Sequence, residues 1–182
     1  MDDRRTRQHS AWLTLSGIAH LRISHMPKIS ALLHTMNDAK RVGRAIDSLR
    51  ACDEVLVIDH GSRDGTQKAA EEHGATVKAA IPGVDRGAYV LDLKNDWVLC
   101  LCANEALSEE LEASLHEWKQ SDADAETGYA MGVREESEGG WRSCPSEVRL
   151  VNRTRLKWTG DLPPNKDDTP AFAGDLIRFK NP

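Results

Sequence analysis

Two short apolar runs separated by one helix-length segment constrain this chain most. Ile29 to His34 and Val55 to Ile58 are too short for helices in this setting, are flanked by polar residues, and read as interior strands. Between them Val42, Ala45, Ile46 and Leu49 recur at helical spacing, with Lys40, Arg41, Arg44 and Asp47 on the opposite face and Asn37 or Asp38 where an N-cap is wanted. A second helix is marked by Asp64 as cap, Gln67 completing a capping box, and Gly74 as stop; Thr76 to Ala80 is then a third strand. The order βαβαβ with short connections implies parallel strands joined by right-handed crossovers, and it brings the strand ends to one rim of a sheet.

The pattern continues with a fourth strand, Trp97 to Cys102, after a short irregular or helical stretch from Gly87 to Asn95. Ser108 then caps a helix with Glu109 and Glu110 in its first turn and Leu111, Leu115 and Trp118 facing inward. From Tyr129 the pattern changes: Tyr129 to Val133 and Glu147 to Asn152 read as strands around a Gly139-Gly140 turn, and Lys157 to Phe179 reads as a short tail poor in core residues. The fold class is α/β, a Rossmann-like, mostly parallel sheet flanked by helices with a small mixed β region at the C-terminus. One domain is expected over residues 27–182, with halves at 27–121 and 122–182. Residues 1–26 are expected to be a poorly ordered extension: Arg4, Arg5 and Arg7 precede an apolar stretch too diluted by Thr14, Ser16, Gly17 and His20 for a secretory signal.

Composition removes several function classes. A chain of 182 residues, 40% hydrophobic, supports one ordinary domain, and a net charge of -5 disfavours nucleic acid as a partner. Cys52, Cys100, Cys102 and Cys144 are too scattered for a disulfide framework; Cys100 and Cys102 share one face of a strand, as buried thiols or, less simply, as a metal pair. No run approaches the roughly 18 apolar residues that span a bilayer.

Function concentrates at Asp59. A carboxylate at the carboxyl end of a buried strand, followed by a Gly61-Ser62 turn and a capped helix, is the arrangement with which open α/β sheets hold nucleotides. Asp64 is explained by capping, and Gly61 and Gly65 by turn geometry; Asp59 has no capping role and needs a partner, with bonds to nearby backbone amides as the lesser alternative.

From Ile29 to Leu111 the chain resembles the nucleotide-sugar-binding half of family 2 glycosyltransferases of the GT-A fold, especially the short bacterial branch that includes lipopolysaccharide-core glucosyltransferases. Four segments carry the resemblance: Thr35-Met36-Asn37-Asp38, Asp53 to Asp59, Gly61-Ser62-Arg63-Asp64-Gly65-Thr66, and Asp96-Trp97-Val98-Leu99. It implies a nucleotide-sugar donor, a UDP-sugar first, with Asp59 on the uracil imide or a ribose hydroxyl, the backbone around Thr35 and Asn37 framing the base, Gly61 and Ser62 in the same loop, and Arg86 on a phosphate. It also implies a divalent cation, Mg or Mn, and a location in the cytoplasm or on the periphery of the inner membrane; the acceptor is not implied.

The departures are equally specific. Where the family has Asp-x-Asp for the cation, this chain has Cys102-Ala103-Asn104, then Glu105, so Asn104 and Glu105 are the remaining metal candidates. Near the acceptor, Glu147 to Val151 and Lys157-Trp158-Thr159-Gly160 match the family's surroundings, but Leu162-Pro163-Pro164 replaces its Val-His-Glu. Glu147 and Asp161 are left as candidates for the general base. Two readings follow: an active sugar transferase, or a non-catalytic relative that binds a nucleotide, sugar or protein partner on the same rim.

Overall fold

A computed structural model describes residues 26–121 and 127–180; most of the segment expected as an N-terminal extension lies outside the described residues. The strands are β1 (Ile29–Thr35), β2 (Glu54–Asp59), β3 (Thr76–Ala79), β4 (Trp97–Cys102), β5 (Glu105–Leu107), β6 (Gly128–Ser137), β7 (Gly140–Asn152) and β8 (Ala171–Arg178). The helices are α1 (Val42–Asp47), α2 (Thr66–Glu72) and α3 (Glu109–Trp118), and a 3-10 helix spans Arg86–Asp92.

All eight strands form one sheet in the order β3-β2-β1-β4-β7-β6-β8-β5. The first four are parallel, as the βαβαβ pattern requires: β1 pairs with β2 (Leu33 opposite Val57) and with β4 (Leu33 opposite Leu101). β7 then runs antiparallel to β4, and β6 antiparallel to β7. The C-terminal part is larger than expected. β6 and β7 form a long hairpin, and the supposed tail contains β8, which runs parallel to β6 and antiparallel to β5 with Leu107 opposite Leu176. Leu176 is fully buried, so this segment does contribute to the core.

Two apolar clusters fill the two faces of the sheet. On one, Leu33, Val57, Leu99 and Leu101 pack under α1, α2 and α3 through Val42, Ala45, Ala70, Leu111 and Leu115. Trp97, Trp118, Tyr129 and Phe172 extend that face as an aromatic group with ring centroids 4.9 to 6.2 Å apart. The other face carries Leu32, Leu56, Ile58, Val98 and Cys100, covered by Tyr89, Val90 and Leu93 and by Leu156, Trp158 and Leu162. The interior parallel strands β1, β2 and β4 are buried on both sides, which is why they read as continuous apolar runs, whereas the edge strand β3 is largely exposed.

Helix starts depend on more than local pattern. Ser108 caps α3 as expected, its Oγ accepting from Leu111 N at 3.2 Å. α1 begins later than the sequence suggests, at Val42, because Asn37 takes a left-handed φ of 59° and the Asp38 carboxylate accepts from Met36 N and pairs with Arg41. Nor does Gln67 close a capping box on α2; its side chain leaves the helix for Asp59.

Candidate functional site

The carboxyl ends of β1, β2 and β4 meet on one rim. The chain goes from β1 to β2 and β3 on one side and then crosses to β4 on the other, so the strand order reverses beside β1, where open α/β sheets take their ligands. His34 stands at that point, opposite Ile58 of β2 and Cys102 of β4.

The loops after β1 and β2 are fastened to each other. Asn37 N donates to Ser62 Oγ at 2.9 Å, and Arg63 N donates to Asn37 Oδ1 at 2.9 Å. Asp38 N donates to Thr66 Oγ1 at 2.8 Å, and Ala39 N to Asp64 Oδ2 at 3.1 Å. Asp64 also accepts from Thr66 N at 3.1 Å, so it organises the start of α2 and the first loop together. Gly61 and Gly65 take φ values of 87° and 90°, which a side chain would strain. The resemblance segments Thr35 to Asp38 and Gly61 to Thr66 thus form one rigid platform.

Asp59 is the hub of that platform. It is 1% exposed; Oδ2 accepts from Gly61 N (3.2 Å), Ser62 N (3.0 Å) and Gln67 Nε2 (2.7 Å), and Oδ1 accepts from Ser62 Oγ, with Thr35 Oγ1 at 3.5 Å. Burial works to raise its pKa, but the donors from Gln67, Ser62 and Gly61 outweigh it and hold the carboxyl below the usual range. Five donors leave little acceptor capacity for a ligand. The carboxylate shapes the loop. Gln67 was the missed partner; its side chain is three residues past the expected cap, where a local pattern and a long-range acceptor compete.

At the end of β4 the two remaining carboxylates are occupied by arginines. Glu105, fully buried, receives a two-pronged contact from Arg149 (both distances 2.8 Å), a bond from Arg178 Nε (2.9 Å) and one from Cys102 N (2.9 Å). Glu147 accepts from Arg149 at 2.6 Å and from Arg178 at 3.0 Å. Burial favours the protonated form of Glu147, yet Arg149 and Arg178 bring its pKa below the ordinary value, which weakens it as a base. Asn104 donates its amide to Phe179 O at 3.2 Å. The Cys102 thiol is pushed up to about 11, chiefly by burial, and stays protonated at neutral pH. This set does not fit a hard divalent cation, which needs several free oxygens. Among the described residues no group of three or more His, Cys, Asp or Glu side chains could hold a metal ion.

The other face of the rim carries groups that sequence reasoning passed over. His34 Nδ1 lies 2.9 Å from His60 Nε2, and the His34 ring meets Tyr89 edge-on at 5.9 Å. Burial lowers the His34 pKa to about 4, with Asp161 opposing and His60 and Arg86 reinforcing the shift, so the ring is neutral at neutral pH. Arg86 pairs with Asp161 at 2.6 Å, and Gly87 N donates to Thr159 O at 3.1 Å. A Cβ on Gly87 would stand 2.1 Å from the Trp158 carbonyl oxygen, so only glycine lets the 3-10 helix seat against this loop. The structure therefore joins Arg86 and Asp161, which had been expected in separate roles. The signal for the His34–His60 contact was a histidine near the end of each of two adjacent strands.

No family model matches the chain. It is similar to curated proteins of Rickettsia felis and Rickettsia conorii, each named an uncharacterized glycosyltransferase: 43% identical over 91 residues and 44% over 89. These matches cover 48% and 47% of this chain and 32% of each relative, so the chain spans about a third of the length of the curated relatives it matches. Among solved structures, residues 1–349 of Staphylococcus aureus TarS superpose with a TM-score of 0.51 at 17% identity, over 65% of this chain and 38% of that one. The mixed α/β fold, a curled sheet flanked by helices, is that of GT-A glycosyltransferases. Among the described residues no helix is long and apolar enough to cross a membrane.

Proposed function

We propose that this chain is the donor-binding part of a family 2 glycosyltransferase, which transfers a sugar from a UDP-sugar to an acceptor hydroxyl. The observation that carries the reading is the platform at the strand-order reversal: two loops at the ends of adjacent parallel strands, cross-linked by four hydrogen bonds and centred on Asp59. A strand-end loop pair held this tightly costs no ordering when a nucleotide binds, which is where preorganised sites gain affinity. The glycosyltransferase names of the Rickettsia relatives support the same reaction class.

In this reading Thr35, Asn37, Gly61 and Ser62 form the floor, and Asp59 acts by fixing them. Lys40 and Arg63, exposed at the edges of the floor, face the charge of a diphosphate, with Arg86 at the far side. The charge that develops on the departing nucleotide is met by these cations, since the end of β4 offers no fitting cation site. Calorimetry with UDP and UDP-sugars, with and without manganese, tests the reading. Micromolar to millimolar binding of UDP without metal and slow hydrolysis of a UDP-sugar are expected. Binding without any hydrolysis would favour the non-catalytic relative, and no binding of any nucleotide would overturn both.

A further inference from the structure

Arg86, at the start of the 3-10 helix, is already held by an internal carboxylate: its Nη1 donates to Asp161 Oδ2 at 2.6 Å. Both side chains lie beside the platform. Each acts on the charge of His34, near the end of β1, and of His60, the residue before Gly61. A diphosphate seated on the platform and the Asp161 carboxylate therefore seek the same guanidinium.

The stretch from Trp158 to Leu162 is fastened unevenly. At its ends Trp158 and Leu162 pack on the cluster that contains Tyr89 and Val90, and Gly87 N donates to Thr159 O at 3.1 Å. The Cβ that Gly87 lacks would stand 2.1 Å from the Trp158 carbonyl oxygen, so this backbone is pressed against the 3-10 helix. Between those points Thr159 and Gly160 are exposed, and Asp161 is fixed by the ion pair, whose side chains are 45% and 41% exposed. A pair in that much water holds weakly. It is also incomplete: among the described residues the Arg86 side chain donates through Nη1 alone, and Asp161 Oδ1 has no partner. A guanidinium offers five donors in a fork that matches two oxygens at once, so a phosphate satisfies it better than Asp161 does.

We propose that Asp161 is a built-in competitor for the phosphate position: it occupies Arg86 until a nucleotide phosphate takes the guanidinium from it, and its side chain then swings out while Trp158 and Leu162 stay seated. The inference rests on the nucleotide-binding reading above and adds a regulatory contact to that site. The exchange trades one anion for another at the same cation. Part of the phosphate–arginine contact is therefore spent on releasing Asp161, and the salt dependence of binding is blunted. A nucleoside without phosphate has nothing to offer Arg86 and leaves the pair closed.

Calorimetry of the full chain with UDP and with uridine tests this through a double-variant cycle. Asp161→Asn, which keeps the shape and removes the charge, is expected to tighten UDP about two- to fivefold, the range that an exposed ion pair is worth, and to leave uridine unchanged. Arg86→Gln is expected to weaken UDP about threefold, the worth of a charged hydrogen bond less that of the pair it displaces. On the Arg86→Gln background Asp161→Asn should alter UDP affinity by less than about 1.5-fold, because no guanidinium is left to release. In the unmodified chain the Arg86 Nε–H resonance moves on addition of UDP and not of uridine, a readout independent of whether the variants fold. If UDP binds but Asp161→Asn fails to tighten it, or the Arg86 resonance stays still, the exchange is refuted while the nucleotide reading stands. A gain that persists without Arg86 would mean that the carboxylate repels phosphate through space, and an equal gain for uridine that the loop was loosened; either refutes the exchange. Binding of UDP to none of these proteins refutes both.

Discussion

Glu105→Gln tests whether the end of β4 is a structural ion cluster. Arg149 and Glu105 are both fully buried and joined by two 2.8 Å bonds, and Arg178 and Glu147 complete a set of two positive and two negative charges. Substitution by glutamine keeps the shape and leaves Arg149 and Arg178 facing Glu147 alone. Breaking a buried pair by removing one partner costs about 3 to 5 kcal/mol; because Arg149 keeps its 2.6 Å contact with Glu147, a loss near the lower end, about 3 kcal/mol, is expected. For a chain of this size that lowers the melting temperature by roughly 6 to 12 °C. Arg149→Met should cost about as much, by leaving Glu105 and Glu147 against Arg178 only. The double variant Glu105→Leu, Arg149→Met leaves one charge of each sign and should recover most of the loss, as replacements of buried pairs by apolar groups do. Urea unfolding followed by tryptophan fluorescence gives all three values. A Glu105→Gln variant within about 1 kcal/mol of the parent at unchanged m-value, or a double variant less stable than Arg149→Met alone, would refute the assignment.

Stability should also depend on pH through His34. Its folded pKa, about 4, lies below the unfolded value, so the unfolded chain binds the extra proton first: the contribution is full above pH 6.5 and is lost as pH falls towards 4. The bound is about 3 kcal/mol, less because the ring is partly exposed, and a His34→Asn variant whose stability falls as steeply between those pH values would contradict it. Gly174→Ala should lower stability by about 2 kcal/mol or more, because φ there is +87° and a Cβ would stand 2.3 Å from Leu111 N at the start of α3; thermal melts check this, and an unchanged melting temperature would show that β8 does not press on α3. Thiol labelling should find Cys52 and Cys100 inert in the folded chain, since burial pushes both up to about 12, with Cys102 slow at about 11, while denaturant exposes all four cysteines. Fast labelling of Cys100 in the native state would contradict its burial.

The parallel half was legible because its interior strands are buried on both faces. Ile29 to Leu33, Val55 to Ile58 and Trp97 to Cys102 carry that burial as unbroken apolar runs, and α3 announces itself through Ser108, its acidic first turn and the Leu111, Leu115, Trp118 stripe. β5 and β8 were not legible. Each owes its conformation to the other, with Glu105 opposite Arg178 across 73 residues of chain, and β8 presents one fully buried apolar residue, Leu176, among Gly174, Asp175 and Arg178. The same distance hid the fate of the candidate site residues. Glu105 reads as a free carboxylate until Arg149, 44 positions later, is folded against it, and Gln67 reads as a cap until Asp59 reaches it. Local pattern locates a side chain on an element; it does not say which remote partner claims it.

The two ends of the rim consequently do different electrostatic work. At β4 the charges cancel within a buried cluster, so that corner projects little field towards a ligand. At β1 and β2 the platform is built from neutral backbone donors and saturated carboxylates, with Lys40 and Arg63 exposed at its edge and a net charge of -5 on the chain as a whole. Long-range attraction therefore contributes little to capture of a nucleotide diphosphate, and any cationic contact it makes there is one that salt screens. Affinity for such a ligand has to come from hydrogen bonds at short range, made by the fastened loops after β1 and β2. Nucleotide affinity that changes little with added salt is the behaviour this charge distribution requires. A steep salt dependence with no preference among bases would instead place recognition on the phosphates, at Lys40, Arg63 and Arg86.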